Sequence, residues 1–335
     1  MIDGYSIYPG LYLYFQVQSI SVASTKLNDE FSGNELYEQE LEGILVRDWI
    51  KDYTVKLARE FVFVERTFDR LGLDSRNLEM EMNYYDSSLR DEWNRTNAFY
   101  TRNGIGYATF RKAYENYVKS NQVFNALYMT EGGEQEVKDE EIIEYFQKDY
   151  TYLDYIKLST VDDANLPLAD ADIDAIRNTV GVMKETAEAE VEDQGVVYVD
   201  PENVGIQAAF VFYCVMSGMT EEEALEIRGK IVTDNTVLRT SSTLYEEGFI
   251  TAVFDAPYDK YQIYEAADAI YLFCRRSMLE EDENSWTEYK GTIISELRSE
   301  VYLTYVEENG AILTVTENTG ARRYFSLKKA TGAAT

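Results

Sequence analysis

Asp170-Ala171-Asp172-Ile173-Asp174 sets carboxylates at the alternate positions that open a calcium-binding loop, a spacing that lets several oxygens converge on one cation. The sixth position is Ala175, where such a loop needs glycine for its sharp turn, and the twelfth is Gly181, where a bidentate glutamate belongs. Calcium is therefore rejected. The same residues read as the acidic first turn of a helix, facing the positive end of its dipole. The chain of 335 residues has no histidine, which excludes a Ser-His-Asp or Cys-His nucleophile, a His-ligated zinc and a histidine general base. There is no Gly-rich phosphate loop ending in Lys-Ser or Lys-Thr and no Cys-x-x-Cys, so nucleotide and thiol-redox chemistry have no support. No cofactor and no metal are expected. Cys214 and Cys274 lie in apolar surroundings and read as two buried free thiols, since a bridge would require a geometry that spacing does not supply. The Glu-rich runs at 221–223 and 280–283 read as solvated faces.

The elements that would carry any site belong to a strongly acidic chain. Against 61 acidic side chains stand 31 basic ones, a formal charge of −30, which repels nucleic acid and anionic membranes at long range. Neither is expected as a partner. Hydrophobic residues make up 45% and aromatics 14%, with 28 Tyr, enough for a packed core in which half-buried phenols do much of the filling. The densest apolar stretch, residues 208–216, is far shorter than the roughly 20 residues of a membrane span, so direct membrane insertion is not expected. Met1 runs straight into Ile2-Asp3-Gly4-Tyr5, an extended segment with an Asp-Gly turn and no signal peptide. Those residues leave open a cytoplasmic protein or an exported one whose leader has been removed.

The spacing predicts helices over most of the first 149 residues. Pro9 opens one over 11–22. Ile50, Tyr53, Leu57, Phe61, Val64, Phe68 and Leu71 recur in steps of three and four until Gly72 stops them. Asp74 or Ser75 caps the next, which the turn at Asn103-Gly104 ends. Tyr107, Phe110, Tyr114, Tyr117, Asn121, Phe124 and Tyr128 form a largely aromatic stripe, expected to face the core. After Gly132-Gly133 a short acidic helix leads into 152–158, where the period changes from 3.6 to 2 and a strand is expected. Downstream, 170–190 and 220–232 read as helices, the second opened by a capping box between Thr220 and Glu223. Residues 201–215 form a helix or a strand, and two strands follow at 261–265 and 269–275. A final helix from Ser285 carries Trp286, Tyr289, Ile293, Leu297, Val301 and Tyr305 on one face, suited to packing on the N-terminal helices. Strands at 312–316 and 323–327 and a frayed tail at 330–335 are expected at the end.

This order of elements resembles the SurA and PrsA type of exported bacterial foldases, in which a helical chaperone domain is interrupted by a parvulin-type peptidyl-prolyl isomerase domain. Residues 139–159 are similar to the family's passage from chaperone helix to first parvulin strand. Phe249-Ile250-Thr251-Ala252-Val253-Phe254, followed by Tyr258-Asp259-Lys260 and the strand 269–275, is similar to the closing half of a parvulin domain. The resemblance implies an α+β, mainly helical fold: a chaperone-like domain built from both termini, 1–149 plus 281–329, around an inserted parvulin-like domain, 150–280, of mixed sheet and helix. It further implies a four-stranded antiparallel sheet with helices around it over 151–275.

The expected pocket departs from the family's. Tyr155 stands where the first histidine would be, Ala269-Ile270-Tyr271 replaces the usual Gly-Tyr-His, and Tyr245 takes the Met position four before the Phe. Phe249 fits directly, and Phe254 is the second of the two Phe five apart. Tyr155, Tyr245, Phe249, Phe254 and Tyr271 are therefore the expected peptide-binding set, with no catalytic residue. Isomerisation must lower a barrier of roughly 18–20 kcal/mol, and little or none is expected from phenols and alkyl groups. What the resemblance leaves is an ATP-independent chaperone, extracytoplasmic and lipid-anchored or secreted, whose partners are unfolded polypeptides. The competing readings are an active isomerase with a His-free pocket and an acidic surface-binding or scaffold protein.

Overall fold

Pro9 supplies a preset φ at the start of α1 (Pro9–Lys26), whose buried Leu11, Phe15 and Ile20 recur at helical spacing. In the computed structural model, which describes residues 1–28, 30–31, 33–189, 205–318, 320 and 327, a short α2 (Gly33–Glu38) and a two-residue hairpin, β1 (Glu40–Leu41) with β2 (Ile44–Leu45), follow. Neither was expected from the pattern, because each is too short to develop a period. The apolar row at three- and four-residue steps forms α3 (Val46–Arg70), closed by Gly72 at φ 62°, a conformation open chiefly to glycine. Asp74 caps α4 (Ser75–Arg102) by accepting a hydrogen bond from the Arg76 N–H at 2.8 Å, and α5 (Tyr107–Phe124) runs on into a π-helical turn, Asn125–Met129.

The chain divides into two compact units, Met1–Val137 with Ile294–Thr335, and Lys138–Ile293. In the first, Glu65 of α3 is held among cations from α5: it accepts from Lys119 at 2.8 Å and Lys112 at 3.1 Å, and from the Asn116 amide at 2.9 Å. Burial raises the Glu65 carboxyl, but these hydrogen bonds and charges outweigh it, and the group sits below the usual carboxylate range. The aromatic stripe of α5 only partly reaches the core. Phe110 and Tyr128 are buried, whereas Tyr117 is 59% exposed, because the buried side of α5 runs through Asn116, Lys119 and Val123 instead.

The second unit opens with α6 (Asp139–Asp149) and the long strand β3 (Tyr150–Ser159). Then come α7 (Asp170–Ala187), α8 (Gly205–Met216) and α9 (Glu221–Ile231), the last with the capping box of Thr220 and Glu223 in place. The segment expected as helix or strand over 201–215 is thus helical from 205. β4 (Val232–Arg239), α10 (Glu247–Asp255), β5 (Tyr261–Glu265), β6 (Ala269–Arg276) and a one-turn α11 (Met278–Glu281) complete it. The strands form one antiparallel four-stranded sheet in the order β4-β3-β6-β5. β6 is covered on both faces, which is why it reads as an unbroken apolar run. Its Ile270, Leu272 and Cys274 join Val180, Met183, Phe210 and Cys214 of α7 and α8 on one side. Ala269, Tyr271 and Phe273 join Phe249 and Val253 of α10 on the other. Both cysteines are free and buried.

The last helix, α12 (Lys290–Ala311), belongs to the first unit from Ile294 onward. There the Tyr302 hydroxyl donates to the Ser120 carbonyl at 3.0 Å, Phe63 meets Tyr305 edge to face, and Lys56 pairs with Glu307 at 2.7 Å. Of the expected face, Trp286 and Ile293 are buried and Tyr289, Leu297 and Tyr305 half-buried, while Val301 is exposed and the buried positions nearby are Tyr302 and Val306. Trp286 stands ahead of this helix in a 3-10 turn, Ser285–Glu288, rather than within the expected α-helix. The strand expected at 312–316 reduces to a single bridge between Val315 and Ile2. Residues 190, 323–326 and 330–335, on which the end of one expected helix, most of the last expected strand and the expected tail fall, lie outside the described residues. The fold is α+β and mainly helical.

Candidate functional site

α10 is amphipathic in an unusual sense, with two working faces. Phe249 and Val253 point at the sheet and are buried. Glu247, Ile250, Thr251, Phe254 and Asp255, spaced i, i+3, i+4, i+7 and i+8, line a groove on another side. Gly248 sits where the helix crosses Tyr264: a Cβ there would overlap the Tyr264 hydroxyl.

Four of the five expected residues meet on the sheet face beneath this helix. Phe249 stacks on Tyr271 with centroids 4.3 Å apart, and Tyr155 lies 5.8 Å from both Tyr271 and Tyr245. The Tyr245 hydroxyl donates to that of Tyr155 at 3.4 Å, and the Tyr245 ring closes over Phe249 at 5.6 Å. Burial, followed by the Tyr155 hydrogen bond, raises the Tyr245 phenol far above its ordinary value, so it stays neutral. Tyr264 is raised as well, first by its hydrogen bond to Glu246 and then by burial. Phe249 and Tyr271 are 1% and 8% exposed, so they form a packed floor.

Phe254, five residues along the helix from Phe249 and turned to another side of it, packs only at the edge of the same core. Its ring lies 4.9 Å from the Arg275 guanidinium, which also covers the Tyr258 ring at 4.3 Å and donates to the Tyr258 hydroxyl at 3.0 Å. Arg275 also donates to the Phe254 carbonyl and so anchors the end of α10.

The groove encloses about 670 Å³ and is lined by Tyr245, Ile250 and Phe254 on its apolar side. Thr240, Ser241, Ser242, Thr243 and Thr251 supply hydroxyls, and Glu247 and Asp255 supply carboxylates. Of the expected set only Tyr245 and Phe254 line it. The hydroxyl run and the acidic residues were missed, although the helical spacing from 247 to 255 is a signal that could have found them. A second cavity, about 380 Å³ in the helical unit and lined by Ile2, Ile7, Pro9, Val55, Ala58 and Val315 among others, contains none of the expected residues. Among the described residues no group of His, Cys, Asp and Glu converges as a metal site, and no helix is long and apolar enough to cross a membrane. The chemistry available is contact and hydrogen bonding: rings, hydroxyls and two carboxylates around an open trough.

No family model matches the chain, and no curated protein does. Among solved structures it is similar to the foldase protein PrsA of Lactococcus lactis, at 10% identity and a TM-score of 0.32 over 97% of this chain and 98% of that one. It is also similar to foldase protein PrsA from Streptococcus pneumoniae, at 12% identity and a TM-score of 0.30 over 87% and 98% of the two chains. PrsA from Bacillus subtilis is similar at 11% identity and a TM-score of 0.29, over 84% of this chain and 90% of its own.

Proposed function

We propose that this chain is an ATP-independent, foldase-type chaperone that holds unfolded polypeptide outside the cytoplasm and does not catalyse prolyl isomerisation. On this reading the helical unit assembled from both ends of the chain is the chaperone-like domain. The sheet unit is a parvulin-like insert that has lost its imidazoles.

The observation that carries the reading is the open groove of about 670 Å³ beside Tyr245 and Phe254, with rings on one side and hydroxyls on the other. Such a trough accepts an extended chain, because apolar side chains find rings and backbone amides find hydroxyl partners. Tyr245 and Phe254 touch the client, while Tyr155, Phe249 and Tyr271 support them from below. The helical unit offers a second, weaker surface: Met80, Tyr84 and Tyr117 are exposed, and rings run Tyr84–Tyr85–Tyr114–Tyr117 with successive centroids 5.0, 5.8 and 5.8 Å apart. Exposed aromatic and Met side chains suit broad, low-affinity contact, and a charge of −30 opposes self-association.

The side chains present support the reading without catalysis. Easing rotation about an X-Pro bond requires a pocket that stabilises the twisted amide more than the planar one. On this reading phenols and a closed aromatic floor stand where such a pocket would be. The test is light scattering from an aggregating unfolded client at an equimolar ratio: suppression is expected, and undiminished aggregation would overturn the reading.

A further inference from the structure

We propose that the α10 groove selects client segments carrying two lysines or arginines four residues apart with an apolar side chain midway between them. The inference rests on the polypeptide-binding reading above and names its substrate class.

Glu247 and Asp255 stand at opposite ends of the groove-facing side of α10, with Ile250, Thr251 and Phe254 between them. Eight residues of helix rise about 12 Å. An extended chain covers that distance in about four residues at about 3.3 Å each, and side chains four apart lie on the same face of it. Two cations at that interval on an extended client therefore meet both carboxylates, while the side chain midway between them falls on Phe254 and Ile250. Ser241 and Thr243 also line the groove and meet the client's backbone amides, the Thr240 and Ser242 hydroxyls being engaged by Asp149 and the Leu244 N–H.

Charge supports the same occupant. Neither Glu247 nor Asp255 is ion-paired among the described residues. Of the neighbouring cations, Arg239 pairs with Asp149 at 2.6 Å and Arg275 is buried against Phe254 and Tyr258, while Lys260, five residues beyond Asp255, is exposed and does not line the groove. Glu247 has a structural reason to be acidic, since it lies in the first turn of α10, where the helix dipole favours negative charge. Asp255 has none. It occupies the last turn, where the dipole opposes it. An acid kept at an unfavourable helix end, beside a ring and at the mouth of a groove, fits a site that receives a positive partner.

The experiment uses the full chain and two fluorescent unstructured peptides that differ only in having Lys or Gln at two positions four apart around a Leu-Tyr centre. Anisotropy at physiological salt is expected to show the Lys peptide binding about tenfold more tightly. The double variant Glu247→Gln, Asp255→Asn should bring it to the level of the Gln peptide, and Asp255→Asn alone should remove about half of the logarithmic difference. Glu221→Gln, Glu222→Gln removes the same charge elsewhere in the unit and should keep the preference. Equal binding of both peptides by the unmodified protein overturns this inference and leaves the chaperone reading standing. Loss of preference in the Glu221 and Glu222 variant also overturns it, by assigning the effect to overall charge. If neither peptide binds while aggregation is still suppressed, the groove is not the client site. If neither binds and aggregation proceeds, both readings fail.

Discussion

Phe249 and Tyr271 lie nearly face to face, with centroids 4.3 Å apart and 28° between their planes. Through this pair α10 is seated on β6, one of the two inner strands of the sheet, and Tyr155 and Tyr245 gather around it. Replacing Phe249 by Ala should cost about 3–5 kcal/mol of stability, the usual range for emptying a buried aromatic site. Phe254→Ala, which removes a groove ring and its cation–π contact with Arg275, should cost only about 1 kcal/mol and should weaken client binding. Denaturant midpoints and peptide titrations on the two variants separate the roles. A Phe249→Ala protein of unchanged midpoint would contradict the packed floor.

The Tyr245 phenol gives alkaline stability a definite sign. Its folded-state value is raised, so its contribution is present below the unfolded value of about 10 and is lost as pH rises through the folded one. Stability should therefore fall more steeply from about pH 9 to about pH 11 in the unmodified protein than in Tyr245→Phe. Urea titrations at the two pH values check this, and parallel losses would refute it.

Glu65 gives the opposite sign in the helical unit. Its folded value is lowered, so its contribution is present above the unfolded value of about 4.3 and is lost as pH falls through the folded one. Glu65→Gln leaves Lys119 buried with a poorer partner and should cost about 3 kcal/mol near neutrality. The gap between variant and parent, followed by chemical denaturation, should narrow on acidification.

A protease-coupled assay on an Ala-Pro peptide should give the uncatalysed rate. Acceleration that disappears in Phe249→Ala would restore the isomerase reading.

Cys214 and Cys274 should both titrate with a disulfide reagent once the protein is denatured without reductant, and should react slowly while it is folded. Both are buried, and burial raises the Cys214 thiol further from its reactive form. Finding no thiol in denaturant would mean that the two are bridged.

What the residues made legible depended on element length. α3, α4 and α5 are long enough for apolar steps of three and four to accumulate, and Gly72 and Gly104 mark their ends through positive φ. The capping box of Thr220 and Glu223 and the apolar run of β6 are equally local signals. β4 was not legible: its core is Thr-Asp-Asn-Thr, and Asn235 at φ 49° breaks the alternation beside the irregular pairing with β3. Tyr155, Tyr245, Phe249 and Tyr271 could be anticipated as neighbours only through the foldase resemblance. The groove itself could not, since it depends on a nine-residue helix presenting two faces. Treating Phe249 and Phe254 as one pair hid the turn that separates them.

The double duty of α10 has a thermodynamic consequence. A ligand lying along one side of a short helix presses its other side onto the sheet, so occupancy and folding become linked equilibria. A loaded molecule should then melt later and resist proteolysis longer than an empty one, and a slackened floor should release its cargo. In such a molecule, cargo retention is set as much by rings that never touch the guest as by those that do.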